Sequence, residues 1–163
     1  MTPSREIANL IVVIRTAIES DLYPIVEFSK VCNKESSYGL PFNDSNAIDY
    51  NWSHIYNSGC DIILAEIDGK VAGLVMLAKS VEYHNKPFCY IMKFWVGLEG
   101  RKTRAARKLL ESAVAWGRSE DCTHIFVTAT AGLDSREQKL FINLVKKAGF
   151  VEGGPVLTLG LEV

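Results

Sequence analysis

The stretch from Phe94 to Leu110 reads FWVGLEGRKTRAARKLL, and it gathers Arg101, Lys102, Arg104, Arg107 and Lys108 where a strand-forming run gives way to a helix-forming one. The chain as a whole has a formal net charge of -1, so this basic cluster is local. A helix start presents unpaired backbone N–H groups and the positive end of the helix dipole. Arginine and lysine added there make an anion site best suited to phosphate oxygens. Acids would suit the first turn better, so the cluster opposes the helix's own preference and is the more informative for it. The plainer alternative is that long basic side chains solvate an exposed turn.

The elements that must position this junction follow from residue patterning. NLIVVIRTA is rich in β-branched residues and reads as a first strand. IESDLYPIVEFSKVCNK has helical spacing, with Ser20 or Asp21 as N-cap and Pro24 tolerable in the first turn. ESSYGLPFNDS breaks structure, and SNAIDYNWSHIYNS reads as a second helix ending near Gly59. CDIILAEI and VAGLVMLAKSVEY form a hairpin around Asp68-Gly69, and HNKP reverses the chain into FCYIMKFWV. TRAARKLLESAVAWGRSE is then a helix with Ala106, Leu109, Leu110, Ala113, Val114 and Trp116 or Gly117 on one stripe. THIFVTATA reads as a buried strand, DSREQKLFINLVKKAG as a helix stopping at Gly149, and FVEGGPVLTLGLEV as a closing hairpin around Gly153-Gly154. A strand, a crossover helix and another strand imply two parallel neighbours in a mixed sheet. The expected class is α/β, with residues 1–163 as a single domain.

Composition narrows the function. With 48% hydrophobic and 23% charged residues the chain reads as a globular cytoplasmic protein, and its apolar runs are too short or too charged for a membrane span. Cys32, Cys60, Cys89 and Cys122 are far apart and form no C-x-x-C pair, which speaks for small buried hydrophobes and against a structural zinc or a disulfide framework. Near-neutral net charge argues against a dedicated nucleic-acid binder.

FWVGLEGRKTRAARKLLESAVAW resembles the acyl-CoA-binding motif of the GCN5-related N-acetyltransferase (GNAT) family: an apolar strand ending in Val, a short spacer, Arg/Gln-x-x-Gly-x-Gly/Ala, then a helix. The six motif positions are Arg101, Lys102, Thr103, Arg104, Ala105 and Ala106. IRTAIESDLYPIVEF is similar to the family's opening strand and helix, LAEIDGKVAGLVML to its second and third strands, and KKAGFVEGG to its last helix-to-strand junction. The resemblance implies a mostly antiparallel sheet flanked by helices, with a parallel strand pair splayed around acetyl-CoA as co-substrate. It implies that backbone amides of Lys102 to Ala106 cradle the pyrophosphate, that Phe94, Trp95 and Val96 pair with the pantetheine amides, and that members often form homodimers. Arg104 stands where the family has its first Gly, which puts a side chain where the backbone approaches the phosphates. Followed by two alanines it looks like a phage-encoded branch, in which Arg104 would clamp a phosphate oxygen.

The resemblance also locates the chemistry. The family's frequent general base on the fourth strand falls at Met92, and its frequent thiolate-protonating Tyr falls at Val145, both inert. Gln138 stands for an Asn near the start of the last helix and keeps amide hydrogen bonding. Tyr90, two residues from Met92 and so expected on its face, and Glu82, across the HNKP reversal, are the residues left to serve catalysis, with His84 in the turn itself. The segment joining the first two helices, with Tyr38, Phe42, Asp44, Asp49, Tyr50 and Trp52, suits a small-molecule or peptide amine by cation–π contact and charge. Equally, Tyr50, Trp52 and Ile55 form a helix face to pack on the sheet. The expected activity is transfer of an acetyl group from acetyl-CoA to a primary amine by direct attack. The competing readings are a catalytically inactive module of the same fold and a nucleic-acid-directed enzyme using Arg101 to Lys108 as its backbone contact.

Overall fold

The structure, a computed structural model, describes residues 10–36, 39–81, 85–128 and 135–153. Five strands, β1 (Val12–Thr16), β2 (Cys60–Ile67), β3 (Lys70–Ser80), β4 (Phe88–Val96) and β5 (Ile125–Val127), lie side by side in chain order in one sheet. All neighbours are antiparallel except β4 and β5, which run parallel. Two layers of helix cover the sheet. Helices α1 (Leu22–Glu35) and α2 (Asp44–Tyr56) lie on one face, where Ile25, Phe28 and Ile55 pack on Ile62, Leu64, Leu74 and Met76. On the other face α4 (Ala105–Ser119) and α5 (Ser135–Lys147) bring Leu109, Leu110, Ala113 and Val145 onto Val75, Leu77, Cys89 and Ile91. Between β4 and α4 sits the one-turn helix α3 (Leu98–Arg101).

Local sequence explains most boundaries. Asn43 caps α2 by accepting the Asn46 N–H at 2.9 Å. Asp68 and Gly69 both have positive φ (51° and 73°), the two-residue turn whose twist matches a hairpin. Gly149, at φ 95°, ends α5, with its N–H on the Lys146 carbonyl and the Phe150 N–H on the Val145 carbonyl. Before α1, the Asp21 carboxylate accepts from the Ile18 N–H and from both ends of the Arg15 guanidinium at 2.6 and 2.7 Å. Arg15 also reaches Glu66, so one cation binds β1, β2 and the start of α1 together.

Four expectations are revised. Helix α4 begins at Ala105, after the separate turn of α3, and it is Ala105 that is fully buried while Ala106 is half-buried. Strand β5 is three residues long and half exposed at Phe126. Helix α2 turns Asn51 and His54 inward, while Tyr50 and Trp52 stay 42% and 43% exposed, so of the expected aromatic face only Ile55 packs on the sheet. Cys32 and Cys89 are buried as small hydrophobes, but Cys60 and Cys122 are half-buried. The closing hairpin expected around Gly153-Gly154 lies largely outside the described residues.

Candidate active site

The parallel ladder couples Cys89, Tyr90 and Ile91 to Ile125, Phe126 and Val127. Strand β4 runs on to Val96, so among the described residues its second half has a partner on the β3 side only. Beside this half lies a slot of about 100 Å³ lined by Met92, Lys93, Phe94, Trp95, Thr128 and Phe141. Phe94 packs on Phe141 with ring centres 5.0 Å apart, and the Trp95 indole N–H is buried without an acceptor among the described residues. A buried donor and an unpaired strand edge are what an extended chain of amides, entering as an added strand, would satisfy.

The same strand carries a bulge. Met76 of β3 faces Lys93, and the next residue, Leu77, faces Ile91, so Met92 is an extra residue in β4. The alternation shifts there. Cys89 and Ile91 point toward α4 before the bulge, and Phe94 and Val96 do so after it. Tyr90, opposite Ala78, therefore shares its face with Lys93, opposite Met76. Met92 is 53% exposed. Tyr90 is stacked on Phe126 at 5.4 Å. Glu82 and His84 lie outside the described residues.

At its far end the slot's strand leads into the basic turn, whose five cations divide. Arg101 donates Nε to the Val96 carbonyl at 2.8 Å, Nη1 to Glu137 at 2.6 Å and Nη2 to Glu35 at 2.7 Å. Lys108 donates to the Val12 carbonyl at 2.9 Å, and Arg107 pairs with Glu111 along α4. Lys102 and Arg104 are exposed and make no ion pair among the described residues. The Thr103 hydroxyl shapes the turn, donating to the Gly100 carbonyl at 2.7 Å and accepting from the Ala105 N–H at 3.1 Å. The Thr103 N–H is also held by the Gly100 carbonyl. Of the amide cradle expected at Lys102 to Ala106, the Ala106 N–H is one that the helix's own ladder leaves over, and so is that of Arg107, which lies beyond the expected span. Gln138 is half-buried in the first turn of α5, next to Glu137. Val145 is buried in the core, as inert as its type implies.

The profile of the acetyltransferase (GNAT) family matches residues 26–150. The chain belongs to this family. No curated protein shares significant sequence similarity with it. Solved structures place this GNAT domain's fold among known acetyltransferases. An aminoglycoside N-acetyltransferase, AAC(6')-Iy in complex with CoA, superposes over 100% of both chains with a TM-score of 0.73 at 17% identity. The same enzyme with a bisubstrate analogue, CoA-S-monomethyl-acetylneamine, superposes over 94% of this chain and 99% of the other with a TM-score of 0.72 at 18% identity. A predicted acetyltransferase with acetyl-CoA from Clostridium acetobutylicum covers 92% of this chain and 96% of its own, with a TM-score of 0.70 at 18% identity.

On the opposite side of the sheet from α4, this GNAT domain has a larger cleft of about 370 Å³ where α1 ends and α2 begins. Lys30, Asn33, Lys34, Leu40, Phe42 and Asp44 line it. Asn33 donates to the Leu40 carbonyl at 2.9 Å and Lys30 pairs with Asp44 at 2.7 Å, which draws the connection back onto α1. Of the aromatic and acidic residues expected at an amine pocket, Phe42 and Asp44 line this cleft. Tyr50 and Trp52 do not, and they lie against His54 and Tyr56 on α2. Tyr38 lies outside the described residues. Sequence reasoning missed Lys93, because the residue count to Met92 takes no account of the bulge. It also missed Glu35 and Glu137 as the partners of Arg101.

Proposed function

We propose that the protein transfers the acetyl group of acetyl-CoA to a primary amine of a small molecule. The observation that carries this is the slot beside the half of β4 that has no second partner strand among the described residues, which leads into a turn where Lys102 and Arg104 make no ion pair with any described residue. The pantetheine arm would lie along Phe94, Trp95 and Val96, exchanging amide hydrogen bonds with their backbone and accepting from the Trp95 indole. The pyrophosphate would rest at the start of α4, on the amides of Ala106 and Arg107, with Lys102 and Arg104 adding charge-assisted contacts. Arg101, Thr103, Ala105 and Gln138 belong to the same site as its frame. Acetyl-CoA supplies the activated acyl group, and the chain's task is to hold amine and thioester at attack distance. The aminoglycoside enzymes among the structural neighbours support a small polyamine as acceptor.

Calorimetry with acetyl-CoA and with CoA tests the binding half. Thiol release across a panel of aminoglycosides, polyamines and peptide amines tests the transfer half. Binding together with CoA release by at least one amine is expected, and absence of binding at millimolar acetyl-CoA overturns the reading. The inert residues Met92 and Val145 favour a second reading, an inactive module, which predicts acetyl-CoA binding without release by any amine.

A further inference from the structure

We infer that Lys93 is the proton acceptor of this acetyl transfer, taking a proton from the incoming ammonium and returning it to the departing sulfur. The inference rests on the proposed activity and deepens it. The bulge at Met92 is the first support, because it turns Lys93 onto the ladder with Met76, on the α1–α2 side of the sheet, while keeping it in the wall of the slot. The slot is the place proposed for the thioester, and Lys93 in its wall is close enough to Cys32 of α1 to interact with it electrostatically, on the helix whose end borders the larger cleft.

Its surroundings are the second support. Lys93 is half-buried and has no ion pair or hydrogen bond with any described residue, whereas Lys30, Lys79, Lys86 and Lys146 all have carboxylate partners. An ammonium taken from water without a counter-charge is costly, so the neutral amine is favoured. Burial accordingly lowers the Lys93 pKa, opposed by Cys32 of α1. The Cys32 thiol is itself pushed far up by burial and stays neutral, and the charges acting on it, Glu35 and Arg101, are paired with each other. An amine kept neutral by burial can accept a proton from the incoming ammonium.

The protons balance. Lys93 Nζ takes one proton from the ammonium, and the freed nitrogen lone pair forms the N–C bond to the acetyl carbonyl. The C–S bond breaks, Lys93 returns its proton to the thiolate, and the second nitrogen proton leaves to solvent. One side chain thus covers the two roles for which Met92 and Val145 have no capacity.

The test compares wild type with K93M and K93R between about pH 6 and 10, with calorimetry of acetyl-CoA alongside. K93M should lose about 100-fold or more in kcat with acetyl-CoA affinity within about twofold of wild type. It should also lose the part of the fall in rate at low pH that protonation of Lys93 imposes, and recover part of its rate with trimethylamine, which cannot itself be acetylated. K93R keeps bulk and charge but holds its proton, so it should fail as K93M does, and a K93R that retains wild-type kcat overturns the inference. An unchanged K93M profile does so too, as does a Lys93 amine that titrates by NMR at an ordinary lysine value. A wild-type protein that turns over no amine strikes the acetyl-transfer reading itself, and the base assignment falls with it.

Discussion

Arg101 Nη1 lies 2.6 Å from Glu137 Oε1, which fastens the turn before α4 to the first turn of α5. The other guanidinium nitrogens hold Glu35 at the end of α1 and the Val96 carbonyl at the end of β4. Four elements therefore meet at one side chain, and its job is to frame the site. R101A is expected to cost about 1–2 kcal/mol, because the pairs are charge-assisted but about a third exposed. Urea unfolding measures this, and E137Q should show a smaller loss in the same direction.

Arg104 and Lys102 should behave in the opposite way. They hold no described partner, so R104E together with K102E should leave stability within about 0.5 kcal/mol. Acetyl-CoA affinity should fall about tenfold or more, with the loss shrinking as salt is raised. Calorimetry at two ionic strengths reads both effects, and unchanged affinity would remove these residues from the phosphate site.

Gly100 is a packing requirement. A Cβ there would stand 2.7 Å from the Ala72 carbonyl oxygen and 2.7 Å from Val96 Cγ1, closer than real contacts allow. G100A is expected to cost about 1–3 kcal/mol by pushing α3 off the sheet. Among the described residues nothing lies within 4 Å of the same position at Gly153, so G153A is the matched control and should be near neutral.

Asp21 sets an acid limit. The Arg15 hydrogen bonds hold its carboxyl below the usual carboxylate range. A carboxyl whose folded pKa is depressed adds stability above its unfolded pKa near 3.9, and that stability is lost as pH falls toward the folded value. Denaturant midpoints should thus drop more steeply for wild type than for D21N below about pH 4. D21N itself should be about 2 kcal/mol less stable near neutrality, since it leaves Arg15 with Glu66 alone.

Much of this architecture was legible in the residues because its signals are local. The Asp68-Gly69 turn, the Gly149 stop and the continuous apolar runs of β2 and β3 each need only a few neighbours. Likewise the local gathering of basic residues after Val96 was plain in the sequence, though which of them are paired was not. What escaped depends on distance or on register. Glu35 and Glu137 stand 66 and 36 residues from Arg101, so no spacing rule shows that they neutralise it. The run YIMKFWV is apolar on both sides of Lys93, so a bulge leaves no mark on its pattern. Helix α3 is only four residues long, too short for any periodicity.

The extra residue at position 92 divides β4 into two stretches under different masters. Cys89 to Ile91 pair with β5 as well as with β3, whereas Lys93 to Val96 pair with β3 alone among the described residues. Loss of that one residue would close the bulge and leave Ile91 opposite Leu77 and Lys93 opposite Met76 in plain alternation, so each stretch would keep its face and only the kink between them would go. A strand built this way bends where its β5 partner ends while both stretches stay on one ladder with β3.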